Sequence, residues 1–234
     1  MSNNNKNVKA QQDANANVGE ALTKTELFFE KYKKLMMYII GGVIVAAGLI
    51  AAYHYFIVVP RQKEAQNQMF TAERYFRADS FNLALNGDGN ALGFAKLASE
   101  YGSKAGEAVY MYAGICELQL GNNDKAISYL KKYNGTDKIM LGRATACIGD
   151  AYVNKGDDKT AVDYFVKAAD ISDNIFSASY LLKAGISYEQ MNKKDEAIKV
   201  YQRIKNNYPN SPEGFEIDKY ISRVQTQIDL ANQK

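Results

Sequence analysis

The sequence holds no tryptophan, one histidine, two cysteines and three prolines in 234 residues. Each shortage excludes something. Two cysteines, Cys116 and Cys147, with no CxxC spacing, make neither a disulfide framework nor a cysteine-based metal centre, and free buried thiols are expected. A single histidine, His54, leaves no imidazole elsewhere to activate a nucleophile or join a metal cluster. Scarce proline suits a mostly helical chain, since proline breaks helix interiors. Charge of one sign is also lacking: the net charge is +3, and from residue 60 onward 23 Lys and Arg stand against 22 Asp and Glu. A sequence-independent nucleic-acid binder needs a basic excess or stripe, so nucleic acid is not an expected partner. What is present, 47% hydrophobic and 24% charged residues, suffices to bury a core and excludes collagen-like or wholly disordered chains.

From Met36 to Val59, 24 residues pass without Asp, Glu, Lys, Arg, Asn or Gln. As a helix this stretch is about 36 Å long, enough for a hydrocarbon core of about 30 Å. It shows no polar stripe of the kind a surface-lying core helix carries. Tyr38, Tyr53, His54 and Tyr55 sit near its ends, where amphipathic rings favour the lipid–water interface. A cleaved export signal competes with this reading, but such signals have apolar regions of roughly 7 to 15 residues after a short basic start. Residues 36–59 are therefore read as a transmembrane signal anchor. Lys31, Lys33 and Lys34 on its amino side outnumber Arg61 and Lys63 on the other, which places the amino terminus in the cytoplasm and the rest across the membrane. Within the anchor, Gly42 and Ala46, and Gly48 and Ala52, recur at the four-residue spacing that lets another membrane helix approach.

Residues 1–22, rich in Asn, Gln and Ala, read as a disordered cytoplasmic tail. Over 23–35 an amphipathic juxtamembrane helix is expected: Thr23 and Glu26 form a capping box ahead of Leu27, Phe28, Phe29 and Tyr32, with membrane lipid as its default contact.

Beyond the anchor the chain repeats itself. "YMYAGICELQLGNNDKAISYLKKY" (110–133), "TACIGDAYVNKGDDKTAVDYFVKA" (145–168) and "LLKAGISYEQMNKKDEAIKVYQRI" (181–204) align with Gly114, Gly149 and Gly185 in one column. Ala126, Ala161 and Ala197 form a second, and Leu130, Phe165 and Tyr201 a third. A glycine in one helix opposite an alanine in the next lets two backbones close, and the large residue fills the space left. Gly121, Gly156 and Asn192 stand where a helix ends in the left-handed conformation. Such hairpins bury their apolar faces only by stacking, so an all-α solenoid is predicted. Residues 60–103 read as a degenerate helical pair, 104–209 as three repeats and 210–234 as a capping helix begun by Ser211 and Pro212.

Two chemical temptations fail. In "NGDGN" (86–90), a calcium loop opening at Asp88 would place Leu92 and Ser99 where oxygen ligands, the last a bidentate Glu, are needed; as a nucleotide fingerprint, Gly87 and Gly89 lack a third glycine and a preceding strand. Asp150, Asp157, Asp158 and Asp163 fall on turns and solvated faces. No catalytic, metal or cofactor site is therefore expected, which argues against an enzyme.

The repeats resemble the tetratricopeptide family through Tyr110, Ala113, Gly114, Ala126 and Leu130, then Gly149, Tyr152, Ala161, Phe165 and Ala168, then Ala184, Gly185, Tyr188, Ala197, Tyr201 and Pro209. Glu117, Thr145 and Leu181 depart from the family's aromatic positions. Carried over, the family's groove columns imply a partner-binding lining of Met111, Ile115, Leu118 and Gln119; Arg143, Asp150, Val153 and Asn154; and Leu182, Ile186, Glu189 and Gln190. It lacks the Lys/Asn pattern that clamps a terminal carboxylate. The whole arrangement, including "ELFFEKYKK" and "SFNLALNGDGN", resembles the ancillary subunit family of the SecYEG translocon. That resemblance implies a protein of the bacterial inner membrane with a periplasmic repeat domain. Its implied partners are Sec translocon subunits, a periplasmic prolyl-isomerase-like chaperone and nascent exported polypeptides. Rival expectations are a scaffold of another cell-envelope or division complex, and an enzyme or carrier with accessory repeats.

Overall fold

Helices in this chain stop where the residues that stop helices stand. The computed structural model describes residues 31–102, 106 and 108–233, whose regular structure is helical apart from one isolated bridge, Gly87 to Leu92. The expected tail over 1–22 and the Thr23–Glu26 capping box lie outside the described residues, and the juxtamembrane helix is described only from Lys31. The chain divides into two units, Met1–Pro60 and Arg61–Lys234.

In the first unit, α1 (residues 31–53) is followed by a π turn, His54–Val58. The Val59 N–H donates to the His54 carbonyl across that turn. The π turn falls just before Pro60, which has no N–H for the Phe56 carbonyl and whose ring crowds it. The helical run Lys31–Arg77 is long and apolar enough to cross a membrane, and none of its apolar window is buried. A Cβ added at Gly42 or Gly48 would meet nothing within 4 Å. These two glycines and Ala46 and Ala52 belong to the exposed surface of the run.

The second unit takes in most of α2 (Val59–Arg77), then α3 (Phe81–Asn86), α4 (Phe94–Glu100), α5 (Ala108–Gln119), α6 (Asn123–Leu130), α7 (Lys138–Asn154), α8 (Asp158–Ser172), α9 (Ser177–Gln190), α10 (Lys194–Asn207) and α11 (Pro212–Asn232). From α5 on, first and second helices alternate. The first three pairs turn in the same way. Gly121, Gly156 and Asn192 all have positive φ, +79°, +76° and +56°. In each turn the next residue donates back to a carbonyl five residues earlier: Asn122 to Glu117 at 2.8 Å, Asp157 to Tyr152 at 2.9 Å, Lys193 to Tyr188 at 2.8 Å. This is the 6→1 bond that closes a helix end when a left-handed residue follows it.

The glycine column sets how closely each pair packs. A Cβ on Gly114 would lie 2.6 Å from Leu130, and one on Gly149 2.6 Å from the Phe165 ring; on Gly185 it would collide with the Tyr201 ring. Ala126, Ala161 and Ala197 are each fully buried. Each core bridges neighbouring pairs, as a stacked repeat requires. Met111, Ile115, Ala126, Ala144 and Ile148 form one, Ala146, Phe165 and Ala184 the next, and Leu181, Tyr201, Ile217 and Val224 the last. Ser211 caps α11 by accepting from the Gly214 N–H at 2.9 Å, with Pro212 in the first turn. Asp137 and Asp157 cap α7 and α8 similarly.

Upstream of the repeats the structure adds an element that periodicity did not predict. The helix α3 lies between α2 and α4, and Ala84 and Leu85 from it join Ala65, Met69, Phe94 and Leu97 in a core with Val109, Ala113 and Cys116 of α5. The "NGDGN" turn follows α3. One Asp88 carboxylate oxygen accepts from the N–H groups of Asn90 and Ala91, and the other accepts from the Tyr75 hydroxyl at 2.7 Å. Those bonds hold the Asp88 carboxyl down at about 2, the Tyr75 bond foremost, and latch the turn to α2.

Candidate partner-binding groove

The first helices α7 and α9, and then α11, share a face with two clefts on it. The first cleft, about 380 Å³, lies between α7 and α9 and is lined by Ile139, Met140, Arg143, Ala146, Cys147, Asp150, Phe176, Tyr180 and Lys183. The second, about 400 Å³, lies between α9 and α11 and is lined by Ile186, Glu189, Gln190, Tyr220 and Arg223.

The twelve residues carried over as groove lining divide among three fates. Arg143 and Asp150 line the first cleft, and Ile186, Glu189 and Gln190 the second. On α5 the outcome differs: Met111, Ile115 and Leu118 are buried, 1%, 6% and 9% exposed, against Ala144, Ile148 and Ala151 of α7. Small Ala144 and Ala151 let α7 close on α5, so those side chains serve the core, and Gln119 alone of the four is exposed. Val153 and Leu182 are half-buried and pack on core clusters, while Asn154 is exposed and donates to the Asn123 side chain at 3.2 Å.

Charged side chains on this face are mostly paired one repeat apart. Lys183 donates to both Asp150 oxygens, at 2.7 and 2.8 Å across 33 residues of sequence. Arg223 donates to Glu189 at 2.7 Å across 34 residues. The Tyr201 hydroxyl, reaching through from α10, donates to the same Glu189 oxygen at 2.6 Å, and burial together with that bond pushes its pKa well up. The same register recurs off this face, where Arg203 pairs with Asp170 and Lys155 with Asp124. Arg143 breaks the pattern: it is exposed, and among the described residues no acidic side chain forms an ion pair with it.

Of the three departures from the repeat pattern, the two polar ones are satisfied locally. Glu117, 5% exposed where an aromatic is usual, accepts from the Asn122 amide at 2.8 Å. The Thr145 hydroxyl donates to the Leu141 carbonyl at 2.7 Å. Neither cysteine is bridged. Burial pushes the Cys147 thiol up to about 11, with Asp150 adding to it, and the Cys116 thiol up to about 12. Among the described residues no three His, Cys, Asp or Glu side chains stand together as metal ligands.

Ile139, Met140, Ala146, Cys147, Phe176, Tyr180 and Lys183 of the first cleft, and Tyr220 and Arg223 of the second, were missed as lining. For Lys183 a signal existed: it follows Asp150 by nearly one repeat, so opposite charges recur on adjacent first helices. Phe176 comes from the turn before α9, and no columnar pattern marks it.

The geometry defines an all-α helical-repeat protein with a groove on its first helices. Residues 148–175 and 179–211 each match a tetratricopeptide repeat family. The chain thus carries tetratricopeptide repeats over these segments, and such repeats indicate a scaffold for protein–protein interaction. The first copy, 110–133, lies outside both matches, although its turn and its glycine contact are those of the other two. No curated protein matches the chain.

Proposed function

We propose that this chain is a membrane-anchored tetratricopeptide scaffold that works beside the Sec translocon. Residues 36–59 hold it in the bacterial inner membrane, the amino terminus is cytoplasmic, and the repeats stand in the periplasm. There they receive emerging exported polypeptides and bring a prolyl-isomerase-like chaperone to them. The observation that carries this reading is the conjunction within one chain of an unburied membrane-length apolar run and a repeat stack with open clefts between its first helices. An apolar surface of that length needs lipid or another membrane helix to cover it, and the clefts offer the mixed apolar and polar lining of a polypeptide site. The lysine bias at residues 31–34 supports the orientation, and the resemblance of the tail, anchor and repeats to the translocon's ancillary subunit supports the location.

Two measurements test it. Protease added to intact spheroplasts is expected to remove the carboxyl-terminal domain; protection of that domain would reverse the topology. Crosslinking from Gly42 or Ala46 in intact membranes is expected to recover translocon subunits. Recovery of division or cell-wall proteins alone would assign the scaffold to a different envelope complex.

A further inference from the structure

The cleft between α7 and α9 is asymmetric in its chemistry. At one end lie apolar side chains left in solvent, Ile139 at 45% and Phe176 at 53% exposed. At the other end Asp150 and Lys183 neutralise each other. Between them stands Arg143, which no acidic side chain pairs among the described residues. In the neighbouring cleft along the same face Glu189 and Arg223 are again paired. Among the charged residues lining the two clefts, Arg143 is therefore the one without an ion-pair partner, and it stands beside an apolar pocket.

We infer that this cleft selects an internal segment of extended polypeptide carrying an apolar side chain close to an Asp or Glu. The apolar side chain would lie against Ile139 and Phe176, and the carboxylate would take the guanidinium of Arg143 as its partner. A planar guanidinium donates two parallel hydrogen bonds to a carboxylate, which a lone ammonium does not. The second cleft continues the face past Lys183, so a bound chain has room to run on, which favours an internal side chain over a terminal carboxylate. This selectivity rests on the scaffold reading above and gives that groove a partner chemistry.

The test uses the full chain in nanodiscs and fluorescent ten-residue peptides of Gly and Ser, amidated at the carboxyl terminus, carrying Leu with Glu, Gln or Lys two residues on. A Ser/Glu peptide and a free-carboxylate Leu/Gln peptide complete the set. The Leu/Glu peptide is expected to bind about tenfold more tightly than Leu/Gln, as a charge-assisted hydrogen bond would give, with Leu/Lys and Ser/Glu weaker still. Arg143→Gln should abolish the Glu preference while keeping Leu/Gln affinity, and Phe176→Ser should weaken every Leu peptide. Both sites are exposed, and circular dichroism checks the fold of each variant. Equal binding of Glu and Lys peptides, a Glu preference that survives Arg143→Gln, or a preference for the free terminus would each overturn the inference while leaving a scaffold in place. If no peptide bound, and anionic lipid vesicles occupied Arg143 instead, the inference and the polypeptide-binding role of this groove would both fall.

Discussion

Single residues decide how closely this stack closes. Gly149 and Gly185 are where the rings of Phe165 and Tyr201 rest on backbone, so Gly149→Val or Gly185→Val must displace a fully buried ring. Overpacking of that kind costs about 1–3 kcal/mol, and a drop in the thermal midpoint of the repeat domain measures it. The thiols carry a second expectation. With Cys147 raised to about 11 and Cys116 to about 12 by burial, little thiolate exists at pH 8. Maleimide labelling of the native protein should be slow at both and become fast on unfolding. A third concerns Asp88. Its folded carboxyl sits near 2, against an ordinary value of 3.8. The stabilisation it gives is present above pH 4 and disappears as pH falls from about 4 to 2. Asp88→Asn should remove that part of the acid limb of an unfolding titration; an unchanged limb would show that the latch to Tyr75 contributes nothing.

Among whole elements, turns and caps were legible in the sequence and interfaces only partly so. Gly121, Gly156 and Asn192 announced left-handed ends because backbone sterics are local, and all three have positive φ. Ser211 followed by Pro212 marked the start of α11 for the same reason. The helix α3 was not legible: its six residues are too short for a helical period, and it exists because Ala84 and Leu85 pack beneath Phe94 and Leu97. Nor was the closing of α5 on α7, which depends on Ala144 and Ala151 meeting Met111 and Leu118 across distant sequence. Residue columns taken from the repeat family therefore placed Arg143, Asp150, Ile186, Glu189 and Gln190 at clefts but assigned three core residues of α5 to the lining. The inter-repeat ion pairs belong to this scale too. A double-mutant cycle on Asp150 and Lys183, both partly exposed, should give a coupling of about 0.2–1 kcal/mol that shrinks with added salt. Zero coupling in low salt would remove the pair from any part in register.

At the scale of the whole molecule, each repeat pair touches only its neighbours, so stability is expected to vary along the stack. Hydrogen exchange should find the strongest protection in α7 to α9, whose cores have repeats on both sides, and faster exchange towards the end of α11, where Leu230 is 56% exposed. The central claim concerns contact with polypeptide on the face of α7 and α9 in the cell. Photocrosslinking from position 176 in intact membranes, with position 167 on the exposed surface of α8 as control, tests it most directly. Adducts with exported polypeptides from 176 and few from 167 are predicted. Adducts only from 167, or none with any exported chain, would contradict it.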